Sequence, residues 1–109
     1  MISKNDNKKI NELTNAVLLL KNASEAKKFL RDLLTESELI EFGNRWKAAR
    51  MLSENRPYTE IIKQTGLSST TVARVSKWLN KGMGGYKKIT DRLHHHTHHA
   101  NNLLRRGLS

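Results

Sequence analysis

Apolar residues recur along this chain at helical spacing. Ile10, Leu13, Val17 and Leu20 follow one another at steps of three, four and three, which places them on one face of a helix. Asn22 and Ser24 interrupt that face and can cap a new helix. Glu25 lies three residues after Asn22, in the position of a capping-box partner. Ala26, Phe29, Leu30, Leu33 and Leu34 then form a second apolar stripe. Thr35 followed by Glu38 is a better capping box, and it predicts a third helix carrying Leu39, Phe42, Gly43, Trp46, Ala49 and Leu52 on one side. Gly43 in mid-helix costs about 1 kcal/mol against alanine, so a close helix–helix approach is expected there. Pro57, preceded by Asn55 and Arg56, stops this helix because proline can neither donate to the preceding turn nor tolerate helical geometry in the residue before it.

Beyond Pro57 the elements shorten. Tyr58–Gln64 makes about two turns of helix. Thr65, Gly66, Leu67 and Ser68 form a turn, and Ser69–Asn80 reads as a helix with Ser68 as N-cap. Gly82, Met83, Gly84 and Gly85 read as a loop, and Ile89–Leu104 as a further helix with Ile89, Leu93, Ala100 and Leu104 roughly aligned. No segment alternates like a strand. The prediction is an all-α protein of six helices in one domain. Residues 1–9 are expected as a flexible basic arm, 10–54 as dimerisation helices, 58–80 as a helix-turn-helix, and 89–106 as a C-terminal helix with a His-rich tail.

Composition sharpens this picture. The chain has 109 residues, of which 37% are hydrophobic and 6% aromatic. That is a thin core for an independent domain, and burial borrowed from a second subunit is expected. The absence of cysteine excludes disulfides, thiolate zinc sites and cysteine nucleophiles, and it fits a cytoplasmic location. The longest clean apolar run, Ala16–Leu20, is far below the roughly 20 residues that span a bilayer, so no membrane partner is expected. The net charge of +10 points to a polyanion such as nucleic acid.

Residues 58–77 supply the chemistry to match. A helix-turn-helix requires a buried residue in its first helix, a glycine at the turn and buried residues after it. Ile61, Gly66, Leu67, Val72 and Val75 occupy those places. Ser69, Thr70, Ala73, Arg74 and Lys77 are then left facing outward. Small residues at the helix start would admit it to a major groove, and Arg74 and Lys77 would reach bases or phosphates. Ser68 and Thr71 near the helix start, and Lys87 and Lys88 beyond the glycine loop, complete the candidate DNA-contacting set. Ile62 stands where a small residue is common and implies a variant crossing angle. The same five positions also fit an ordinary helical hairpin.

The stretch Leu33–Leu79 resembles the Trp repressor family. The matching steps are Leu34, Thr35 and Glu38 at the start of the third helix, Gly43–Arg45, and Thr71–Arg74. The Gly82–Tyr86 segment, GMGGY, resembles an uncharacterised Trp-repressor-like branch. The resemblance implies a six-helix, intertwined homodimer in which the N-terminal helices of each subunit pack into the other. Two recognition helices would then lie roughly 34 Å apart over a palindromic operator in double-stranded DNA. It also implies that Arg45 and Arg74 correspond to the pair that sandwiches the corepressor indole, with Thr35 nearby. Two departures oppose that ligand. Val75 replaces a glycine, and Trp78 replaces a serine and can fill the ligand's volume itself. Thr35, Arg45, Arg74 and Trp78 thus remain the candidate small-molecule residues, while a tryptophan corepressor is not expected and no cofactor is implied.

The His94–His99 run offers i, i+4 pairs, His94 with His98 and His95 with His99, that suit a metal ion. A pH-sensitive charge cluster and a plain solvent-facing tract are the other readings of it. No nucleophile with a base, metal triad or apolar carboxylate pair is visible, so an enzyme is not expected. The expected function is a sequence-specific transcriptional regulator, most simply a repressor. A weakly specific nucleoid-type DNA binder, and a dimeric interaction module with a metal-binding His tract, are the alternatives.

Overall fold

The structure is a computed structural model that describes residues 1–95. Five complete helices are α1 (Lys4–Val17), α2 (Ala23–Leu33), α3 (Glu36–Ser53), α4 (Tyr58–Thr65) and α5 (Ser69–Lys81). A sixth, α6, starts at residue 85 and is still helical at residue 95. No strand occurs among the described residues. The chain divides into two compact units, Met1–Leu39 and a second beginning at Ile40.

In the first unit each helix is started by its own cap. The Ser3 hydroxyl accepts the Asp6 amide at 3.1 Å and opens α1, so the expected arm over 1–9 is already helical from Lys4. Asn22 Oδ1 accepts the Glu25 amide at 2.9 Å, while the Glu25 carboxylate accepts the Lys21 amide at 3.1 Å, one residue beyond the N-cap amide of a standard capping box. Thr35 and Glu38 close the full reciprocal box, with Glu38 accepting the Thr35 amide at 2.9 Å and Thr35 Oγ1 accepting the Glu38 amide at 3.2 Å. Neither α1 nor α2 contains a buried residue. Their apolar stripes are formed as expected, but Ile10, Leu13, Val17, Leu30 and Leu33 remain exposed.

The second unit holds the core. Ala48, Ala49 and Met51 of α3 pack with Ile61 of α4 and with Val72 and Val75 of α5, flanked by Trp46, Leu52, Ile62, Leu67 and Tyr86. Ile61, Val72 and Val75 are fully buried, and burial of such a side chain contributes about 1.5–3 kcal/mol. The interior edge of α3 therefore differs from the expected one. Ala48 and Met51 join Ala49 inside, where small alanines admit neighbouring helices closely, whereas Phe42 is exposed. Among the described residues, nothing outside the local helix backbone lies within 4 Å of a Cβ built on Gly43, so the expected close approach is not made by any of them. Helix α6 opens earlier than Ile89. Gly84, at φ +89°, accepts the Lys88 amide at 2.9 Å and launches the helix from inside the expected loop. Thr90 locks its first turns by donating to the Tyr86 carbonyl at 2.8 Å from a fully buried position.

Candidate nucleic-acid interface

The α4–α5 corner is built as the sequence pattern requires. Pro57 precedes α4 with extended backbone, and Gly66 ends it in the left-handed region at φ 72°. That conformation carries no steric penalty for glycine. Thr65, itself buried, donates its hydroxyl to the Ile61 carbonyl at 2.7 Å and accepts the Leu67 amide at 3.2 Å. The turn's polar groups are thus satisfied from within. Ser68 then caps α5 by accepting the Thr71 amide at 3.1 Å.

Helix α5 has two chemically distinct faces. Val72, Val75 and Leu79 point into the core. Ser69, Thr70, Ala73, Arg74 and Lys77 are all exposed. Ser68 and Thr71 are committed locally: the Ser68 hydroxyl donates to Thr71 Oγ1 at 3.0 Å, and Thr71 is half-buried. Lys81 at the end of α5 and Lys87 and Lys88 in the first turn of α6 are exposed as well. Among the described residues, the ion pairs engage Lys9, Arg45 and Arg56, and none engages Arg74, Lys77, Lys81, Lys87 or Lys88. The cationic groups of this surface are uncompensated, which favours an anionic partner.

Of the residues implied by the resemblance as ligand contacts, Arg45 and Thr35 are engaged locally, whereas Arg74 and Trp78 are exposed. Arg45 pairs with Glu41 at 3.2 Å, and its guanidinium carbon lies 5.6 Å from the centroid of the Phe42 ring. Its Nε is buried without a hydrogen-bond partner, as is that of Arg50. Arg74 is exposed on α5, and Val75 is fully buried. Thr35 belongs to the first unit and is engaged with Glu38. Trp78 is 43% exposed. It lines an open cleft of about 690 Å³ together with Trp46, Lys81, Met83, Tyr86 and Ile89, and neither Arg45 nor Arg74 is part of that lining.

Three features escaped the sequence reading. The Trp46 and Tyr86 rings stack at 6.5 Å and 20°. Thr65 and Thr90 bond back to the carbonyl four residues earlier, a pattern common enough in polar positions that it singles out neither residue. The third is His94, whose Nε2 lies 2.8 Å from Ser53 Oγ at the end of α3. Its neighbour His95 is exposed. No group of three or more metal-ligating side chains occurs among the described residues, and His98 and His99 lie outside them. No described helix is long and apolar enough to cross a membrane.

An all-α chain whose second unit presents a helix-turn-helix with a polar, basic outer face falls in the class of helical DNA-binding proteins. Residues 8–94 match the family described as Trp repressor protein. The uncharacterised protein YerC of Bacillus subtilis (strain 168) is 37% identical over 92 residues, covering 84% of this chain and 88% of that protein. The crystal structure of a TrpR-like protein from Eubacterium eligens superposes with a TM-score of 0.74 at 37% identity, covering 79% of this chain and 89% of that one. A crystal structure from Staphylococcus aureus gives the same TM-score of 0.74 at 32% identity, covering 80% and 87%. The chain belongs to the Trp repressor family, whose members are DNA-binding regulators of transcription.

Proposed function

We propose that the protein is a sequence-specific transcriptional repressor that acts in the cytoplasm as a homodimer on a palindromic operator, and that tryptophan is not its signal. The reading rests on one observation above all: the five outward residues of α5, Ser69, Thr70, Ala73, Arg74 and Lys77, are exposed together while the opposite face anchors the helix. Ser69, Thr70 and Ala73 meet base edges. Arg74 and Lys77 reach bases or phosphates, and Lys87 and Lys88 contact the backbone beside them. Ser68 and Thr71 orient the helix start and contribute a phosphate contact there. A second copy is the partner that the exposed stripes of α1 and α2 call for. Tryptophan is disfavoured because Val75 adds a buried branched side chain where close backbone approach would be needed, and Trp78 brings its own indole. Among the described residues, no side-chain constellation suggests catalysis.

The test is selection of bound duplexes from a random pool, followed by a salt titration of the winner. A recovered palindrome is expected, with log affinity falling against log salt at about 0.9 per phosphate contact. Equal affinity for selected and random duplexes would assign the protein to the weakly specific, nucleoid type. A flat salt response would remove DNA as the partner altogether.

A further inference from the structure

Charge is distributed unevenly over the helix-turn-helix and its flanks. From Asn55 to Thr90 the chain carries seven basic side chains and a single carboxylate, Glu60. Among the described residues, Arg56 is the only one of those seven that forms an ion pair, and Glu60 is its nearest partner. The one negative charge of the segment is therefore spent on one particular cation.

That cation is firmly placed. The Arg56 amide donates to the Met51 carbonyl at 3.0 Å, which fixes the backbone just ahead of α4. Arg56, Glu60 and Gln64 follow at steps of four, on one face of the helix. Arg56 Nε donates to Glu60 Oε2 at 3.0 Å, and a second guanidinium nitrogen donates to Glu60 Oε1. The third guanidinium nitrogen lies 3.7 Å from a Glu54 carboxylate oxygen. Gln64 completes the row by donating to Glu60 Oε1 at 3.2 Å. Every guanidinium nitrogen of Arg56 thus faces a carboxylate. The hydrogen bonds of the pair also hold Glu60 below and Arg56 above their ordinary values, so both are charged at neutral pH.

When a helix-turn-helix seats its second helix in the major groove, its first helix crosses the phosphate backbone. A free guanidinium there would neutralise one phosphate and release its counterion. Arg56 is already neutralised. A phosphate that captured it would leave Glu60 without its ion-pair partner, facing the negative charge of the duplex. We infer that Glu60 limits the affinity of this protein for the DNA backbone by holding Arg56 away from the phosphates, which leaves discrimination to the outward side chains of α5. The inference rests on the DNA-binding reading above. A mere staple for the first turn of α4 would use the same bonds without changing the number of phosphates engaged.

The test counts those phosphates. The full chain and the variants Glu60→Gln, Arg56→Ala and R56A/E60Q are titrated with a fluorescein-labelled duplex of arbitrary sequence over a range of salt concentrations. E60Q keeps the side-chain length and removes the charge. It should bind more tightly, with log affinity falling against log salt more steeply by about 0.9 for each subunit engaged. Glu60→Ala should do the same. R56A should keep the wild-type slope, and R56A/E60Q should return to it. An unchanged slope in E60Q and E60A would overturn the inference. So would a steeper slope that survives in R56A/E60Q, which would make Glu60 a plain repulsive charge. A slope in R56A shallower than wild type would also overturn it, because Arg56 would then already hold a phosphate. Arg56 is exposed and Glu60 half-buried at the surface, and thermal melting of each variant checks that folded proteins are compared. A salt-independent wild type would remove the DNA reading and this inference together, whereas a salt-dependent wild type confines the outcome to Glu60.

Discussion

The Thr65 hydroxyl accepts the backbone amide of Leu67 at 3.2 Å, spanning Gly66 at the corner between α4 and α5. The same hydroxyl donates to Ile61 at 2.7 Å, so one buried oxygen satisfies both sides of the turn. Thr65→Val keeps the shape and removes both bonds. It should lower the unfolding free energy by about 1–3 kcal/mol, the cost of stranding buried polar groups. Thr65→Ser should remain near the wild type. Urea denaturation of the three proteins checks this, and equal midpoints for wild type and T65V would contradict it.

Two glycines at the ends of helices should fail for different reasons when replaced by alanine. A Cβ on Gly66 meets no atom within 4 Å, but the residue sits at φ +72°. G66A should therefore cost about 1–2 kcal/mol of pure conformational strain. Gly82 has a negative φ of −85°, but its Cβ would collide with the Trp78 carbonyl. G82A should disturb the last turn of α5 and shift the tryptophan emission, whereas G66A should lower the melting temperature with the emission of the folded state unchanged.

Arg74 is exposed and makes no ion pair among the described residues. Arg74→Ala should leave thermal stability within about 0.5 kcal/mol of wild type and weaken binding to the selected operator by about 1–3 kcal/mol. Fluorescence anisotropy with a labelled duplex measures the loss. Undiminished affinity would remove Arg74 from the interface.

Acid should destabilise the protein through two carboxylates. The Thr35 amide, and then the Thr35 hydroxyl, hold Glu38 below its ordinary value of 4.5. The hydrogen bond from Arg56 holds Glu60 below 4.5 as well. A carboxylate with a depressed folded-state pKa contributes stability that is complete above the unfolded value and lost as pH falls through the folded one. The unfolding midpoint in urea should therefore drop on acidification below about pH 4.5. The double variant Glu38→Gln with Glu60→Gln should flatten that drop, and an unchanged acid slope would show that these groups do not cause it.

Added L-tryptophan should leave operator affinity almost unchanged. Val75 is fully buried, and Trp78 lines the cleft beside α5. A gain of about tenfold or more in an anisotropy titration, equivalent to about 1.4 kcal/mol, would reverse the interpretation of both residues.

Much of the architecture was legible because local rules and packing agree. The Thr35–Glu38 box, the stop at Pro57, the left-handed Gly66 and the alternation of Val72 and Val75 with Ala73 and Arg74 are each written in residue type and spacing. The start of α6 was not, because three glycines in four residues favour a loop by composition, and only the backbone of Gly84 turns them into a helix start. The buried edge of α3 was misplaced for a related reason. Apolar residues surround that helix on several sides, so periodicity alone does not choose between Phe42 and Met51. The cleft escaped notice because its walls, Trp46, Trp78 and Tyr86, are far apart in sequence and carry no shared motif.

The first two helices have caps and amphipathic stripes but no interior. Their 14 and 11 residues are short enough that isolated helices of this length are marginal in water. Whatever keeps them wound must come from outside their own unit. If that support is another molecule of the same chain, dilution acts on these helices as a denaturant does: far-ultraviolet ellipticity would fall with protein concentration at constant temperature, following mass action.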